Sequence, residues 1–263
     1  MVEVEWRKLR ADELRHRARE NAIVLVPVGS LEQHGPHLPV ETDSLLGELV
    51  AIRTARALVE RGEVALTLPM LWTGLSEHHM SFGGTISLDI ASFSAVIGGI
   101  CSSLVRHGFR RIVLVNSHGG NDNALRTLVD DLSPRLGVPI LQFCYWHAAA
   151  DPIGAILETQ SNLKHACEAE TAMMMVARPD KVAIDRIPLA ARNAEDSDDA
   201  PPQGLYRWRA IGSRSRSGVI GNPDAATPEK GERLFSAISD HLATILLNPG
   251  LWDVPWQADP PVD

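Results

Sequence analysis

Two histidines, a glutamate and an aspartate lie within the segment "VGSLEQHGPHLPVETD", residues 28–43. The segment overlaps the end of the apolar run "AIVLVPV", which is typical of a buried β-strand. Glu32 and His34 are two residues apart, so both side chains point to the same side while the chain stays extended. Carboxylates and imidazoles are ligands that Zn²⁺ and Mn²⁺ take from proteins. The segment therefore predicts metal binding by Glu32 and His34. After a turn of the chain, Asp43 at the start of the next helix is expected to lie near them.

Two later segments carry the same residue types. "NSHGGNDN" places His118 directly after another apolar run, and "KHACEAETAMMM" places Glu170 one turn into a helix whose Met and Ala residues are expected to be buried. Glu32, His34, Asp43, His118 and Glu170 together match the ligand set of a Zn or Mn site. One ion could bind all five residues, but two ions that share an aspartate as a common ligand fit the set better. The alternative is a set of independent loops, in which Asp43 alone is best explained as a helix cap.

The order of the predicted elements explains how these segments meet. Four runs rich in Val, Ile and Leu predict strands buried on both faces, at 22–30, 64–71, 111–117 and 138–146. Helical patterns fill the intervals, at 43–62, 89–109 and 121–137. This alternation predicts an α/β fold, a three-layer α/β/α sandwich with a mainly parallel central sheet. Ligands collect at the carboxyl ends of the strands in such sheets, which is where the polar segments lie.

Length and composition limit what the site can serve. The chain has 263 residues, 44% of them hydrophobic, so residues 1–263 are expected to form a single domain with one large core. The formal charge of −8 argues against nucleic acid or an anionic membrane as a partner. No apolar run reaches the roughly 20 residues that span a bilayer, and the charged N-terminus lacks a signal-peptide core, so a cytoplasmic location is expected. Three cysteines without paired spacing suit a reducing compartment. The polar segment 192–204 is expected to be a surface loop.

Five ordered segments span most of the chain, from about residue 24 to 235: "GSLEQHGPHLPVETD", "GLSEHHMSFGGTISL", "NSHGGN", "HACEAET" and "GVIGNPDAATPEKGE". Together they resemble the signature segments of the creatininase family of metal-dependent amidohydrolases. The resemblance implies a creatininase-like sandwich fold and a hydrolase activity. It does not specify the substrate, because the family includes creatinine amidohydrolase, a deformylase of a formylaminopyrimidine nucleotide and a peptidase that trims a redox-cofactor precursor peptide.

The resemblance also implies roles for individual residues. Four positions match the metal ligands of the family: Glu32, His34, Asp43 and His118. Asp43 matches the ligand that bridges two ions, so one to two ions of Zn²⁺, or of Mn²⁺ or Fe²⁺, are expected per chain. His165 matches a histidine that assists proton transfer, and Glu170 matches an active-site glutamate. Both are therefore candidate catalytic residues, and Glu170 is also a candidate metal ligand.

The sequence departs from the family pattern at three positions. Gly120 stands where creatininase has a further glutamate ligand, so the second ion is expected to be weaker or to be held by Glu170. Restoring that ligand by Gly120→Glu is expected to raise occupancy of the second ion. Ser161 stands where a tryptophan closes over creatinine, which argues against creatinine as the substrate. Cys167 replaces a usual glycine and is interpreted as a packing variation.

Other polar and aromatic residues are candidates for the walls of the pocket. Ser76 and His79 are expected to line it, and Trp146 resembles a substrate-stacking tryptophan, although core packing explains a tryptophan at a strand end equally well. His37 is assigned either to ligation or to a structural role. The arginines in "YRWRAIGSRSRSG" are interpreted as a solvated loop, with an anionic substrate or a neighbouring subunit as alternatives.

These observations predict a metal-dependent amidohydrolase in which a metal-bound hydroxide hydrolyses a non-peptide C–N bond of a cyclic or small amide. His165 would deliver a proton to the leaving nitrogen. One alternative is a peptidase acting on a specific small peptide, provided that "WHAAADPIGAILETQ" leaves the pocket open to an extended chain. Another is a metal-stabilised binding protein without catalysis. A homo-oligomer, by resemblance a hexamer, is expected because Trp208, Trp252 and Trp256 lie in irregular segments that usually pack against something.

Overall fold

The computed structural model describes residues 2–190 and 205–254. The strands are β1 Ile23–Val28, β2 Ala65–Thr67, β3 Arg111–Asn116 and β4 Ile140–Cys144. They form one parallel sheet in the order β2–β1–β3–β4. The α-helices of the described residues are α1 Ala11–Arg19, α2 Thr42–Glu60, α3 Ile90–Arg106, α4 Asp122–Leu136, α5 Tyr145–Ala148, α6 Ala150–Gly154, α7 Glu168–Ala177 and α8 Pro228–Leu246. The predicted α/β class and parallel sheet are confirmed.

The central strands separate the helices into two layers. Ile23 and Leu25 pack with α2 and α8, whereas Val24 and Val26 pack with α3 and α4. This division follows because successive side chains of a strand point to opposite faces. β1 is buried along its whole length, and β3 along all but its first residue. The three-layer α/β/α sandwich is therefore confirmed, and its central strands are buried on both faces as predicted.

The strand predicted at 64–71 is shorter in the structure. β2 ends at Thr67, and Pro69 has no N–H with which to continue the ladder. Parallel pairing resumes only as a single bridge between Val28 and Leu71. The chain therefore still follows β1 to the end of that strand, which keeps the segment after Leu71 next to the polar segment after β1.

The strand predicted at 138–146 also ends early. Cys144 pairs with Asn116, the last residue of β3, so the chain beyond Cys144 has no further strand to pair with. Tyr145 and Trp146 start α5 instead. The middle residues of β4 are only half-buried. Burial on both faces is therefore wrong for β4, because Leu141, Gln142 and Phe143 line a surface cavity of about 570 Å³.

The carboxyl ends of β1 and β3 lie beside the start of α2. The Ser117 N–H donates to the Val28 carbonyl oxygen at 2.9 Å, so the segments that follow both strands leave the sheet together. A β-carbon on Gly47 would lie 2.4 Å from Ser117 Oγ. Only glycine allows α2 to approach the strand ends this closely. Since Asp43 lies one turn earlier in α2, the same approach brings its carboxylate to the strand ends.

The remaining expectations concern the cysteines, the polar segment 192–204 and membrane-spanning helices. Cys101, Cys144 and Cys167 are buried and free. The predicted loop at 192–204 lies outside the described residues. Within 2–190 and 205–254, no helix has the length and apolar character needed to cross a membrane.

Candidate metal centre

Glu32, Asp43 and His118 converge where β1 and β3 end and α2 begins. His118 Nδ1 lies 3.0 Å from Glu32 Oε2 and 3.0 Å from Asp43 Oδ2. All three side chains are buried, and one ligand atom from each lies within 4.8 Å of the others. One nitrogen and two carboxylate oxygens at this separation could hold a divalent ion.

His34, Asp43 and Glu170 form a second group that shares the aspartate. His34 Nε2 lies 3.2 Å from Asp43 Oδ1 and 3.8 Å from Glu170 Oε2. This nitrogen is fully buried and has no hydrogen-bond partner among the described residues. A buried polar atom without a partner is costly, and a divalent ion between the nitrogen and the two carboxylates would satisfy it. The residues present therefore fit a second ion.

Asp43 presents a different oxygen to each histidine. Oδ1 faces His34 and Oδ2 faces His118. The N-cap residue of α2 is Glu41, and no side-chain capping hydrogen bond forms there. The helix-cap interpretation of Asp43 is therefore wrong, because its carboxylate is turned towards the two imidazoles. This orientation is what a ligand shared by two ions requires.

Backbone carbonyl groups orient both imidazoles. His118 Nε2 lies 3.1 Å from the Leu75 carbonyl oxygen, and His34 Nδ1 lies 3.1 Å from the Glu32 carbonyl oxygen. Carbonyl oxygens only accept hydrogen bonds, so we assign the N–H to these two ring positions. Once the protons shared with the carboxylates are released, His118 Nδ1 and His34 Nε2 would each offer a lone pair to an ion between them and the carboxylates. Such partners are typical of histidines that ligate metals.

Glu32 is held from two sides. Ser30 Oγ donates to Glu32 Oε2 at 2.8 Å, and His79 Nε2 lies 3.1 Å from Glu32 Oε1. Gln33 fixes the His79 ring, since its amide Nε2 donates to His79 Nδ1 at 2.8 Å. His79 Nε2 therefore carries the hydrogen that it shares with Glu32. These contacts hold the carboxylate in one orientation before any ion binds.

Glu170 is placed by the first turn of α7. The Ala166 N–H donates to Glu170 Oε2, which holds the carboxylate at the helix start. Beside it, Glu168 is fully buried. Its carboxylate accepts a hydrogen bond from Lys230 Nζ at 2.7 Å and another from the Thr159 N–H at 2.9 Å. A buried charge pair is stable only when its hydrogen bonds are satisfied in this way. The pair joins α7 to α8 and fixes the helix end that carries Glu170.

The carboxylates control the protonation of both imidazoles. Although burial opposes it, the charge of Glu32 and the hydrogen bond with Asp43 raise the pKa of His118 to about 10. Burial raises the pKa of Asp43, but the charges of His34 and His118 and the hydrogen bonds with them together hold that pKa well below its usual range. Burial raises the pKa of Glu170. The buried carboxylates therefore hold protons on their neighbours, and a divalent ion would bind by releasing them.

His165 lies beside both ligand groups. Its Nδ1 is 3.6 Å from Glu32 Oε1, and its ring centroid is 4.3 Å from that of His34. Its Nε2 lies 2.9 Å from the Gln33 carbonyl oxygen, so we assign the N–H there and leave the Nδ1 lone pair towards Glu32. Burial, together with the charge of His34, lowers the pKa of His165 well below its usual value. A neutral imidazole beside the two ion positions can exchange a proton with a substrate.

Gly120 cannot accept the extra ligand expected from the family pattern. A β-carbon there would lie 2.2 Å from the Leu75 carbonyl oxygen and 2.4 Å from His118 Nε2. The expectation that Gly120→Glu raises occupancy of the second ion is therefore contradicted, because the first added carbon already collides with backbone. Glu170 instead supplies the second carboxylate next to His34.

We expect Gly120→Ala to destabilise the protein by about 1–3 kcal/mol, the usual cost of overpacking. The same collision displaces His118, so bound metal should fall as well. Gly119→Ala is the matched control, because a β-carbon there meets no atom within 4 Å. Thermal unfolding and elemental analysis of both variants give the comparison. Equal unfolding temperatures and metal contents would contradict the steric argument.

The ligand groups open onto a cavity of about 420 Å³, lined in part by His79, His165 and Trp146. Trp146 is 8% exposed and packs edge-on against Tyr145, so it contributes to the core and to the cavity wall at once. Ser76 does not line this cavity. It is fully buried, and its hydroxyl contacts Ser30 and lies 3.2 Å from His118 Nε2. The expectation that Ser76 lines the pocket is wrong, because Ser76 lies behind the ligands.

The contacts of His37 and Cys167 indicate structural roles for both residues. His37 Nε2 lies 2.9 Å from Thr171 Oγ1 on α7, away from both ligand groups. Burial, followed by the charge of His34, lowers the pKa of His37 to about 4. Burial likewise raises the pKa of the Cys167 thiol to about 11, so it is protonated at neutral pH. Both observations favour packing roles for these two residues.

Sequence reasoning missed three residues of the site. Gln33 holds His79 and contacts His165. His78 stacks on His118 with ring centroids 5.4 Å apart, and Arg214 lines the cavity. The doubled histidine in "SEHHM" was a signal for His78. No local pattern distinguishes Arg214 from the other arginines of its segment, because only folding brings one of them to the cavity.

The tryptophans expected at subunit contacts differ in their surroundings. Trp208 is 56% exposed. Trp252 packs on its own chain, with its ring under the Arg111 guanidinium and its Nε1 donating to the Leu246 carbonyl oxygen. Trp256 lies outside the described residues. Of the two tryptophans within the described residues, Trp208 alone still supports the homo-oligomer, which stays a prediction.

Comparison with known proteins extends over most of the chain. The family model for creatininase, described as creatinine amidohydrolase, matches residues 7–246. Mycofactocin precursor peptide peptidase of Mycobacterium ulcerans (strain Agy99) is 33% identical over 221 residues, covering 82% of this chain and 81% of the relative. Creatinine amidohydrolase of Pseudomonas putida is 31% identical over 267 residues, covering 92% of this chain and 93% of the relative.

A solved structure agrees with these matches. The structure described as "Creatininase Mn" superposes with a TM-score of 0.79 at 26% identity, covering 93% of this chain and 98% of that chain. The likeness covers most of the chain and agrees with the sandwich fold described above.

Proposed function

Because the chain belongs to the creatininase family, we propose that it is a metal-dependent amidohydrolase with two ion positions joined by Asp43. The observation that carries the proposal is the orientation of this aspartate, which presents one oxygen to His118 and the other to His34. Glu32 and Glu170 complete the two groups. The otherwise unpartnered His34 Nε2 supports the second position. Zn²⁺ or Mn²⁺ suits a donor set of imidazoles and carboxylates.

Bound ions of this kind supply Lewis acidity, which makes hydroxide available near neutral pH and polarises a carbonyl group. The protein residues orient the groups and move the protons. His79 and Ser30 hold Glu32. His165 takes up the proton that the attacking water loses and gives it to the leaving nitrogen as the C–N bond breaks. One water is consumed, the carbonyl carbon ends as a carboxylic acid, and the nitrogen leaves as an amine.

The shape of the site favours an amide that extends beyond a single ring, such as a short peptide. The cavity of about 420 Å³ adjoins a cleft of about 780 Å³, and the two share His78, Gly119, Ile211 and Arg214 in their walls. Of the segment 146–160, Trp146 and His147 line the inner cavity, and no residue lines the cleft. A small cyclic amide is the second candidate, because the inner cavity alone is large enough for one and a creatinine amidohydrolase is 31% identical.

Metal removal tests the proposal directly. We expect the purified protein to hold one to two Zn²⁺ or Mn²⁺ ions per chain, and chelation to abolish hydrolysis until the ions are restored. Elemental analysis gives the stoichiometry, and a panel of short peptides, formamides, lactams and hydantoins identifies the amide class. Absence of bound metal after loading with Zn²⁺ and with Mn²⁺ would overturn the metal site. Bound metal without turnover on any amide would favour the binding protein instead.

A further inference from the structure

A further set of metal-ligating side chains lies where the edge strand β4 ends. Asp122 begins α4, Cys144 is the last residue of β4, and His147 lies in α5. One ligand atom from each lies within 4.8 Å of the others. None of the three belongs to the two groups that share Asp43. The proposed hydrolysis makes no use of them, so their convergence needs an explanation of its own.

The spacing of the thiol and the carboxylate suits a tetrahedral ion. Cys144 Sγ lies 3.3 Å from Asp122 Oδ1. Zn²⁺ binds sulfur at about 2.3 Å and oxygen at about 2.0–2.2 Å, so two such ligands at a tetrahedral angle lie about 3.5–3.7 Å apart. A small outward shift of the two side chains would therefore admit an ion between them.

Neighbouring side chains hold both atoms in this orientation. Asn116 Nδ2 donates to Cys144 Sγ at 3.0 Å, and Gln142 Nε2 donates to Asp122 Oδ1 at 2.6 Å. Arg126 Nε donates to the other carboxylate oxygen at 3.1 Å. Hydrogen bonds of this kind orient the ligands of metal sites, and donation to sulfur also stabilises a thiolate. The thiol and the carboxylate are therefore arranged before an ion binds.

His147 can supply the third ligand. Its side chain is exposed, and its ring packs edge-on against Trp146 with centroids 5.4 Å apart. Within residues 2–190 and 205–254, no hydrogen bond engages either ring nitrogen of His147. The ring can therefore turn towards the thiol and the carboxylate without breaking a hydrogen bond within the chain. Water from the exposed side can complete the four ligands of a tetrahedral ion.

The thiol distinguishes this set from the catalytic centre. Thiolate is a soft ligand that suits Zn²⁺, whereas Mn²⁺ prefers oxygen ligands. Burial, followed by the charge of Asp122, raises the pKa of Cys144 to about 12, so the thiol keeps its proton until an ion displaces it to solvent. Because that proton must be released, the set should bind an ion less tightly than the catalytic centre. It should fill only while free metal is present, so protein freed of excess metal still reports the catalytic ions alone.

We propose that Asp122, Cys144 and His147 form a separate binding site for a thiophilic divalent cation, for which Zn²⁺ is the best match. An ion held there would join the start of α4 to the end of β4 and to α5. Since His147 also lines the catalytic cavity, the ion would fix part of the cavity wall. The site does not depend on hydrolysis, so its test succeeds or fails independently of the amidohydrolase proposal.

Titration of the reduced protein with Co²⁺ tests the site directly. Co²⁺ bound to a thiolate shows a charge-transfer band in the near ultraviolet that carboxylate and imidazole ligands do not produce. The two catalytic ligand groups contain no cysteine, so the band reports this site alone. We expect the intensity of one Co–S bond per chain at saturation. Added Zn²⁺ should remove the band, and Mn²⁺ should not.

Substitutions identify the ligands. Cys144→Ser should abolish the band, since serine fills nearly the same space and can keep the hydrogen bond to Asp122. His147→Gln should weaken Co²⁺ binding by at least about 10-fold, the smaller loss seen when only an outer partner is removed. This variant should stay folded because His147 is exposed. Cys101→Ala and Cys167→Ala are the matched controls and should keep the band, because these buried cysteines lie outside all the ligand groups of the described residues.

The outcomes separate this site from the catalytic centre. The band should persist in folded Asp43→Asn even when the catalytic ions are lost, and its loss there would overturn a separate site. A folded protein that shows no band at any Co²⁺ concentration would overturn the site as well. So would a band that survives Cys144→Ser or disappears in either cysteine control. Unchanged Co²⁺ affinity in His147→Gln would overturn the three-ligand set.

Discussion

Replacing Asp43 with asparagine is expected to remove nearly all bound metal and to abolish hydrolysis of every amide that the protein cleaves. Asparagine has almost the same shape, so the loss follows from the charge. Asp43 is the one residue that belongs to both ligand groups, and its two oxygens face His34 and His118. The effect should therefore exceed the roughly 10- to 100-fold loss that follows removal of a partner outside the ligand shell.

Elemental analysis after metal loading, together with turnover, measures this effect. His118→Ala should behave in the same way. His37→Gln is the matched control, because His37 is a buried histidine of the same segment whose Nε2 contacts Thr171 and not the ligand groups. Circular dichroism establishes that each variant is folded. Full metal content in a folded Asp43→Asn variant would refute the shared-ligand site, and loss of metal in His37→Gln would make His37 a ligand.

Replacing His165 with alanine is expected to lower turnover on amides by at least about 10²-fold while leaving metal content nearly intact. An amine is a poor leaving group until its nitrogen is protonated, and His165 lies beside both ligand groups with its Nδ1 3.6 Å from Glu32 Oε1. An ester of the same acyl group should be affected much less, because its alkoxide leaves without prior protonation. Steady-state kinetics on an ester and amide pair measures the difference.

Added imidazole provides the control for the His165 variant. If proton delivery is what the variant lacks, imidazole entering the cavity should restore part of the amide activity. Equal losses on ester and amide would show that His165 positions the substrate. Loss of metal would show that it is a ligand, a role for which its position with Glu32 and His34 is suitable.

The ligands differ in how far the sequence predicts them. Glu32 and His34 follow a buried strand, and His118 follows its neighbour in the sheet, so period-2 geometry and the parallel topology place them together without knowledge of side-chain packing. Asp43 and Glu170 are different, since each lies at the start of a helix where a carboxylate usually serves the helix itself. Only the packing of α2 and α7 turns these two carboxylates to the histidines.

The sequence by itself determines the residue types of the centre, the mainly parallel arrangement of the strands and the carboxyl-terminal edge of the sheet as the place where the polar segments gather, because these depend on local periodicity and chain connectivity. Tertiary structure alone decides that Gly120 has no room for a side chain, that Ser76 lies behind the ligands, and that Arg214 reaches the cavity. These outcomes depend on close contacts between segments far apart in the chain, such as the 2.2 Å from a β-carbon on Gly120 to the Leu75 carbonyl oxygen and the 3.2 Å from Ser76 Oγ to His118 Nε2. Residue type and spacing carry no information at that scale, because close packing between distant segments is set by the whole fold.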